Sequence, residues 1–307
     1  MRQMNRAGGM TILGLLRDAA AHLSDIDAGN PRLEAEYLLA LALGIERPVL
    51  LARDPGVPVE PYAQTRFGVL LARRLAREPL QYVLGTVPFA GLDLVIGPGA
   101  LIPRGETEVL VEQVASALRF ASSAGSPASP SASREQSRAP LLIDVGTGSG
   151  AIVLALLHLL PGWRGIGVDR SRAALSWAQR NRAIVGERRC DLFRGDLLTS
   201  IRPTVADAVV SNPPYVRSAE IPGLAPEILE HEPHEALDGG VDGLEPFRRL
   251  VVEATRVLRP GGLLAVELAP DEPEQAAELL AASGAFHPAW TFLDLAGRKR
   301  GLLARRV

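Results

Sequence analysis

From residue 141 to its end the chain alternates short apolar runs with segments whose apolar residues recur at helical spacing, and this alternation limits the fold more than any other feature. Runs at 141–145, 164–169, 189–193 and 206–211 read as strands, and 151–160 and 171–185 between them read as helices. The series continues with a helix at 245–258, a strand at 262–268, a helix at 272–282, and strands near 290–295 and 301–305. Alternation of this kind predicts an α/β fold: a doubly wound, mostly parallel sheet with helices on both faces. Ligands of such sheets bind beyond the carboxyl ends of the strands, so the loops that follow each run are where chemistry is expected.

At 307 residues the chain exceeds the usual size of one compact domain, so a second, smaller domain is expected. Between 11 and 77 apolar residues recur at helical spacing, as in Leu33, Tyr37, Leu38 and Leu41, then Phe67, Leu70, Leu71 and Leu75. We read residues 1–78 as a small helical domain, with Asn30-Pro31 as helix punctuation. Between 79 and 103 two short runs, Leu80-Gln81-Tyr82-Val83-Leu84-Gly85 and Gly91-Leu92-Asp93-Leu94-Val95-Ile96, predict a β-hairpin connector. Residues 106–120 return to helical spacing, and 121–140, rich in Ser, Ala, Pro and Gly, read as a flexible insertion.

Composition excludes several function classes. Hydrophobic content of 47% and charged content of 22% are those of a soluble globular protein. A net charge of −2 gives no general attraction to nucleic-acid backbones or anionic membranes. The single cysteine, Cys190, rules out an internal disulfide and a thiolate metal cluster. The apolar stretch 12–16 is too short for a signal peptide, and the longest apolar run, 151–160, contains His158 and is well short of a membrane span. A cytoplasmic protein is expected.

The first strand leads into Asp144-Val145-Gly146-Thr147-Gly148-Ser149-Gly150, a glycine-rich turn whose backbone can approach a ligand closely. Gly146, Gly148 and Ala151 match the G-x-G-x-x-A spacing of dinucleotide sites, which alone permits a nicotinamide-dependent oxidoreductase. Asp144 argues otherwise: a carboxylate there repels a diphosphate but can hold an ammonium, directly or through water. Asp169, ending the next strand, is placed to accept from ribose hydroxyls, and Asp196, beside Leu197 after the third, from an adenine amino group. A ligand with an ammonium, a ribose and an adenine but no phosphate fits this set, and S-adenosylmethionine is such a ligand.

After the fourth strand comes Asn212-Pro213-Pro214-Tyr215. The two prolines cannot continue a sheet ladder and force an extended, stiff exit. The Asn212 side-chain oxygen and the Pro213 carbonyl can then accept both hydrogens of a planar –NH2, with Tyr215 as a flat wall beside it. Asn212 thus borders the cofactor and the substrate alike.

With these elements in place, the C-terminal two-thirds resembles the class I, Rossmann-like S-adenosylmethionine-dependent methyltransferases that act on planar nitrogen. Two further stretches resemble one family among them, the release-factor glutamine N5-methyltransferases of the HemK/PrmC family. These are Leu101-Ile102-Pro103-Arg104-Gly105-Glu106-Thr107-Glu108, with the runs at 78–85 and 89–92 before it, and the segment from Glu232-Pro233 to Leu244. The resemblance implies that 104–307 is the methyltransferase domain, with Asp144, Val145, Gly146, Thr147, Gly148, Asp169, Asp196, Leu197 and Asn212 at the cofactor. It implies that Asn212, Pro213, Pro214 and Tyr215 hold the substrate, which is the glutamine of the Gly-Gly-Gln motif in peptide chain release factors. A monomer with no metal and no direct nucleic-acid partner is expected. Departures are Gly105, where the family has proline, and Leu197, where a bulky aromatic residue is usual next to the adenine. Arg104 and Glu106 are expected to pair with each other or to face the substrate, and the rival within the class is methylation of a flipped nucleic-acid base.

Overall fold

Helix starts in the first part of the chain are set by short polar side chains. In the computed structural model, which describes residues 10–123 and 138–307, Thr11 Oγ1 accepts from the Gly14 amide and Asn30 Oδ1 from the Leu33 amide at 3.1 Å. These caps open α1 (Ile12–Ser24) and α2 (Pro31–Leu43), with Pro31 in the first turn of α2 and Gly44 in the left-handed conformation at its end. Helices α3 (Arg47–Leu51) and α4 (Pro61–Leu75) follow, and Leu16, Leu23, Leu38, Leu39, Leu50 and Phe67 are buried together. Arg74 of α4 is buried as well, paired with Glu34 at 2.8 Å and with Glu227 at 3.1 Å.

Residues 80–85, expected as the first hairpin strand, instead form α5 (Leu80–Leu84), closed by Gly85 in the left-handed conformation. The physical reason lies in the spacing of Leu80, Val83 and Leu84. Positions i, i+3 and i+4 share one helix face, and here all three pack on the core of the helical unit. The hairpin is β1 (Thr86–Phe89) and β2 (Leu92–Val95), with Thr86 opposite Val95 and Phe89 opposite Leu92. Its two-residue turn, Ala90-Gly91, has positive φ at both positions, which matches the right-handed twist of the paired strands.

Helix α6 (Gly105–Ser123) runs into the range expected as an insertion; of that range, 124–137 lies outside the described residues. Beyond it come β3 (Leu141–Val145), α7 (Ala151–Leu159), β4 (Arg164–Asp169), α8 (Arg172–Val185), β5 (Cys190–Arg194) and β6 (Ala206–Ser211). The chain closes with α9 (Pro226–His231), α10 (Glu245–Val257), β7 (Leu258–Glu267), α11 (Pro273–Ser283), β8 (Trp290–Leu293) and β9 (Lys299–Arg305). Seven strands form one sheet in the order β5-β4-β3-β6-β7-β9-β8, parallel from β5 to β7, with β9 antiparallel to both neighbours. This is the doubly wound, mostly parallel sheet that the alternation predicts. The crossovers reverse direction between β3 and β6, so a crevice opens at their carboxyl ends, where ligands of such sheets bind.

Two compact units emerge. One comprises residues 1–85 together with Pro226–His231, the other 86–225 and 232–307. Among the described residues no helix is long and apolar enough to cross a membrane.

Candidate active site

The crevice is a cleft of about 170 Å³ at the carboxyl edge of the sheet, walled by Gly146 and Gly148 from the loop after β3, Asp169 at the end of β4, Asp196 and Leu197 after β5, and Asn212 and Pro214 after β6. The loop after β3 folds tightly because Gly146 and Gly148 have φ of +70° and +57°. The Gly146 and Thr147 amides both donate to the Val168 carbonyl, at 2.8 and 3.0 Å, which ties the loop to β4. A side chain on Gly146 would meet no atom within 4 Å, so the loop backbone faces open space. On β4 the lack of a Cβ at Gly167 makes room for Thr147, whose Oγ1 would otherwise lie 2.8 Å from it.

Asp144 lies beneath this loop and not on the cleft wall. It is fully buried; one carboxylate oxygen accepts from Thr147 Oγ1 at 2.6 Å and from the Val153 amide at 3.2 Å, while Oδ1 has no partner. Burial outweighs these two bonds and pushes the carboxyl up to about 7. Direct contact with an ammonium in the cleft, one of the two expected modes, does not match this position; the orphaned Oδ1 leaves the water-borne mode. Val145 and Thr147 are buried with it.

Asp169 stands on the wall. Its oxygens accept from the Gly148 and Ser171 amides, each at 2.8 Å, and burial raises its carboxyl above the usual range. Each oxygen keeps a second lone pair, so the group remains able to accept from a pair of hydroxyls. Asp196 is half-exposed and holds the Arg249 guanidinium, which also lines the cleft. Leu197 is on the wall with φ +48°, a strained value for a branched side chain.

Of the Asn-Pro-Pro-Tyr segment, Asn212 and Pro214 reach the cleft, whereas Pro213 is buried and Tyr215 is turned inward. Tyr215, expected as a wall beside the substrate, does not line the cleft. Its hydroxyl accepts from Arg300 at 2.7 Å and donates to Glu267 at 3.3 Å, and the Arg300 guanidinium lies 5.2 Å from the ring centroid. Burial first, then the Glu267 charge, lifts the phenol above its ordinary range. Asn212 Nδ2 donates to Thr107 Oγ1 at 3.1 Å.

The expected Arg104–Glu106 pair is not formed. Arg104 is bonded to Glu232, which is nearly fully buried and also accepts from the Ile102 amide at 3.0 Å. Glu106 instead lies 3.8 Å from Arg298. Among the described residues no group of three or more His, Cys, Asp or Glu could hold a metal ion.

Residues 14–85 match the PrmC N-terminal domain, and residues 133–241 match the methyltransferase small domain. The release factor glutamine methyltransferase of Moorella thermoacetica is 41% identical over 298 residues, covering 97% of this chain and 99% of that protein. The one from Geobacter sulfurreducens is 40% identical over 274 residues, 89% of each chain, and the one from Streptomyces coelicolor 36% identical over 299 residues, 96% of this chain and 98% of that protein. The chain belongs to the release factor glutamine methyltransferase family.

For a member of this family the methyl donor is S-adenosylmethionine, and the cleft fits it. The loop backbone faces open space, Asp144 Oδ1 is an orphaned acceptor beneath it, and Asp169 keeps free lone pairs. Four residues that do not line the cleft but bond to segments around it carry no role in the sequence reading: Thr107 on Asn212, Glu232 on Ile102, and Glu267 and Arg300 on Tyr215. Thr107 and Glu232 sit inside the two stretches that carry the family resemblance, and Glu267 is the acid that ends the buried run 262–267 of β7. That last pattern is a usable signal, because an acid closing a buried apolar run needs a partner. Arg300 carries no such mark.

Proposed function

We propose that this chain transfers a methyl group from S-adenosylmethionine to the side-chain amide nitrogen, N5, of the glutamine in the Gly-Gly-Gln motif of peptide chain release factors. The observation that carries this proposal is the position of Asn212 on the wall of the cleft at the carboxyl edge of the sheet, beside Asp169, with its Nδ2 bonded to Thr107 and its Oδ1 left to accept. Release factors are the substrates, and we place the chain in the cytoplasm as a monomer that needs no nucleic acid.

Asp169 accepts the ribose hydroxyls, Asp144 holds the ammonium through water, and Asp196 and Leu197 border the adenine. When bound, S-adenosylmethionine supplies an electrophilic methyl on a sulfonium. An amide nitrogen is a poor nucleophile because its lone pair is delocalised into the carbonyl. Asn212 Oδ1 and the Pro213 carbonyl take its two N–H bonds, turn the lone pair toward the methyl, and stabilise the positive charge that develops on nitrogen. The new C–N bond forms as the S–C bond breaks, the nitrogen then loses its proton to solvent, and S-adenosylhomocysteine leaves.

The deciding assay supplies labelled S-adenosylmethionine with either purified release factor or duplex DNA. Label is expected on the release factor, at the Gly-Gly-Gln glutamine. Label on DNA alone would replace this proposal with base methylation.

A further inference from the structure

The sequence Val95-Ile96-Gly97-Pro98 leads from the end of β2 to Gly99, Ala100 and Leu101, which line the cleft. The hairpin ladder stops at Val95, so the residues that follow are held in place by other partners.

Helix α8 supplies them. Its residues Ala173, Trp177 and Asn181 recur every fourth position and so share one face, and the stretch from Val95 to Gly99 lies along them in order. A Cβ on Gly99 would lie 2.7 Å from the Ala173 Cβ, and one on Gly97 would lie 2.5 Å from the Trp177 ring, so the two glycines let this backbone lie against the helix. Trp177 Nε1 donates to the Pro98 carbonyl at 3.1 Å. At the other end of the stripe Asn181, fully buried, meets Val95 as a neighbouring strand would: its Oδ1 accepts from the Val95 amide at 2.7 Å and its Nδ2 donates to the Val95 carbonyl at 3.0 Å. Val95 offers one donor and one acceptor, which settles the way round in which the carboxamide sits.

Nδ2 also donates to the Ser149 carbonyl, at 2.9 Å. Ser149 belongs to the glycine loop after β3, whose Gly146 and Gly148 wall the same cleft. One buried side chain is thereby bonded to two stretches of chain that each run into the cleft wall, and a buried amide engaged at both ends holds its neighbours rigidly. Asn181 itself does not line the cleft.

We infer that Asn181 is a positioning residue for the cofactor: it sets the spacing between the glycine loop and the edge formed by Gly99, Ala100 and Leu101, while Trp177 seats the stretch that leads to that edge. A wall already in place binds its ligand without the cost of being ordered on binding. The inference rests on S-adenosylmethionine as the occupant of the cleft.

Asn181→Leu keeps the volume and removes all three hydrogen bonds. In calorimetric titration with S-adenosylmethionine its Kd is expected to rise about tenfold, the equivalent of one hydrogen bond left unmade. On purified release factor, kcat at saturating cofactor should stay within about threefold of wild type. Hydrogen exchange in the cofactor-free protein should be faster at the amides of Ile96, Gly97, Gly99, Ala100 and Leu101. Gly97→Ala, which pushes a methyl against Trp177 and leaves Asn181 in place, should raise Kd about threefold, and it decides the matter if Asn181→Leu fails to fold. Leu280→Ala opens a cavity in the core away from the cleft wall, so it matches a general loss of stability and should leave Kd at the wild-type value. Four results would overturn the inference: a wild-type Kd in Asn181→Leu or, where that variant does not fold, in Gly97→Ala; an equal rise of Kd in Leu280→Ala; unchanged exchange between 96 and 101; or a fall in kcat as large as the loss of affinity. Failure of the wild-type protein to bind S-adenosylmethionine would defeat the cofactor reading itself, whereas wild-type binding beside an unaffected Asn181→Leu defeats only the positioning role.

Discussion

Asp144 is a carboxylate held where a charge is costly. It is fully buried, one oxygen has no partner, and its carboxyl is raised to about 7 against a usual value near 4. A carboxyl raised in the folded state binds protons there that the unfolded chain has already released. Stability contributed by this group therefore falls as pH rises from about 4 to 7 and is level above that. Asp144→Asn keeps the shape and removes the charge, so the fall in unfolding free energy between pH 5 and pH 8 should shrink by about 2–3 kcal/mol. Urea unfolding of both proteins at the two pH values measures this; equal slopes would mean that Asp144 is ionised throughout. Roles at the cleft separate in the same residue-by-residue way. Asn212→Ala removes the acceptor proposed for the substrate amide and should cut turnover at least 100-fold with cofactor affinity nearly intact. Asp169→Ala removes the proposed ribose acceptor and the brace on the Gly148 amide, and should weaken S-adenosylmethionine about 10- to 100-fold. Calorimetric titration of the two variants distinguishes the roles, and matching losses of affinity would contradict the assignment of Asn212 to the substrate.

Secondary-structure elements place these residues, and how each element is held decides how legible it was. The strands β3, β4 and β6 are short, apolar and flanked by a glycine turn, an aspartate and a Pro-Pro exit, so both their existence and the residues that wall the cleft at their ends could be read from residues close in sequence. The segment 80–85 was misread because Leu80, Val83 and Leu84 suit one helix face as well as a short strand, and only the core of the helical unit decides between them. Pairings over long separations leave no local trace: Thr107 meets Asn212 across 105 positions, Tyr215 meets Glu267 across 52, and Glu232 meets Ile102 across 130. The last of these fixes the stretch between β2 and α6, whose residues Gly99, Ala100 and Leu101 form one edge of the cleft. Glu232→Ala strands the buried Ile102 amide at a cost of about 1–3 kcal/mol and frees Arg104. Cofactor affinity should then drop several-fold while kcat at saturating cofactor stays near wild type; an unchanged Kd would show that this edge holds its shape without Glu232.

At the scale of the whole molecule the chain passes between its two units three times, after Gly85, after Ala225 and after His231. The short excursion Pro226–His231 thus belongs to the helical unit although it lies between the Asn-Pro-Pro-Tyr segment and the family segment that begins at Glu232. Within that unit it is bound by charge: Glu227 takes both Arg74, at 3.1 Å, and Arg77, at 3.4 Å, and Arg74 also holds Glu34. The Arg74 side chain is 5% exposed and those of Glu34 and Glu227 are 11% and 20% exposed, so Arg74 is the shared counter-ion of two poorly hydrated carboxylates. Removing it should cost more than removing Glu227, because Glu34 then loses its buried counter-ion and Glu227 keeps only Arg77, at 3.4 Å. Arg74→Met should lower unfolding free energy by about 3–5 kcal/mol, whereas Glu227→Gln, which leaves the Arg74–Glu34 pair intact, should cost about 1 kcal/mol. The same pair of variants reports on cooperativity. If the helical unit and the sheet unit unfold together, Arg74→Met shifts a single urea transition; if they unfold separately, a second, earlier transition appears in Arg74→Met alone. Equal costs for the two variants would show that the excursion is held by its apolar contacts and not by Arg74.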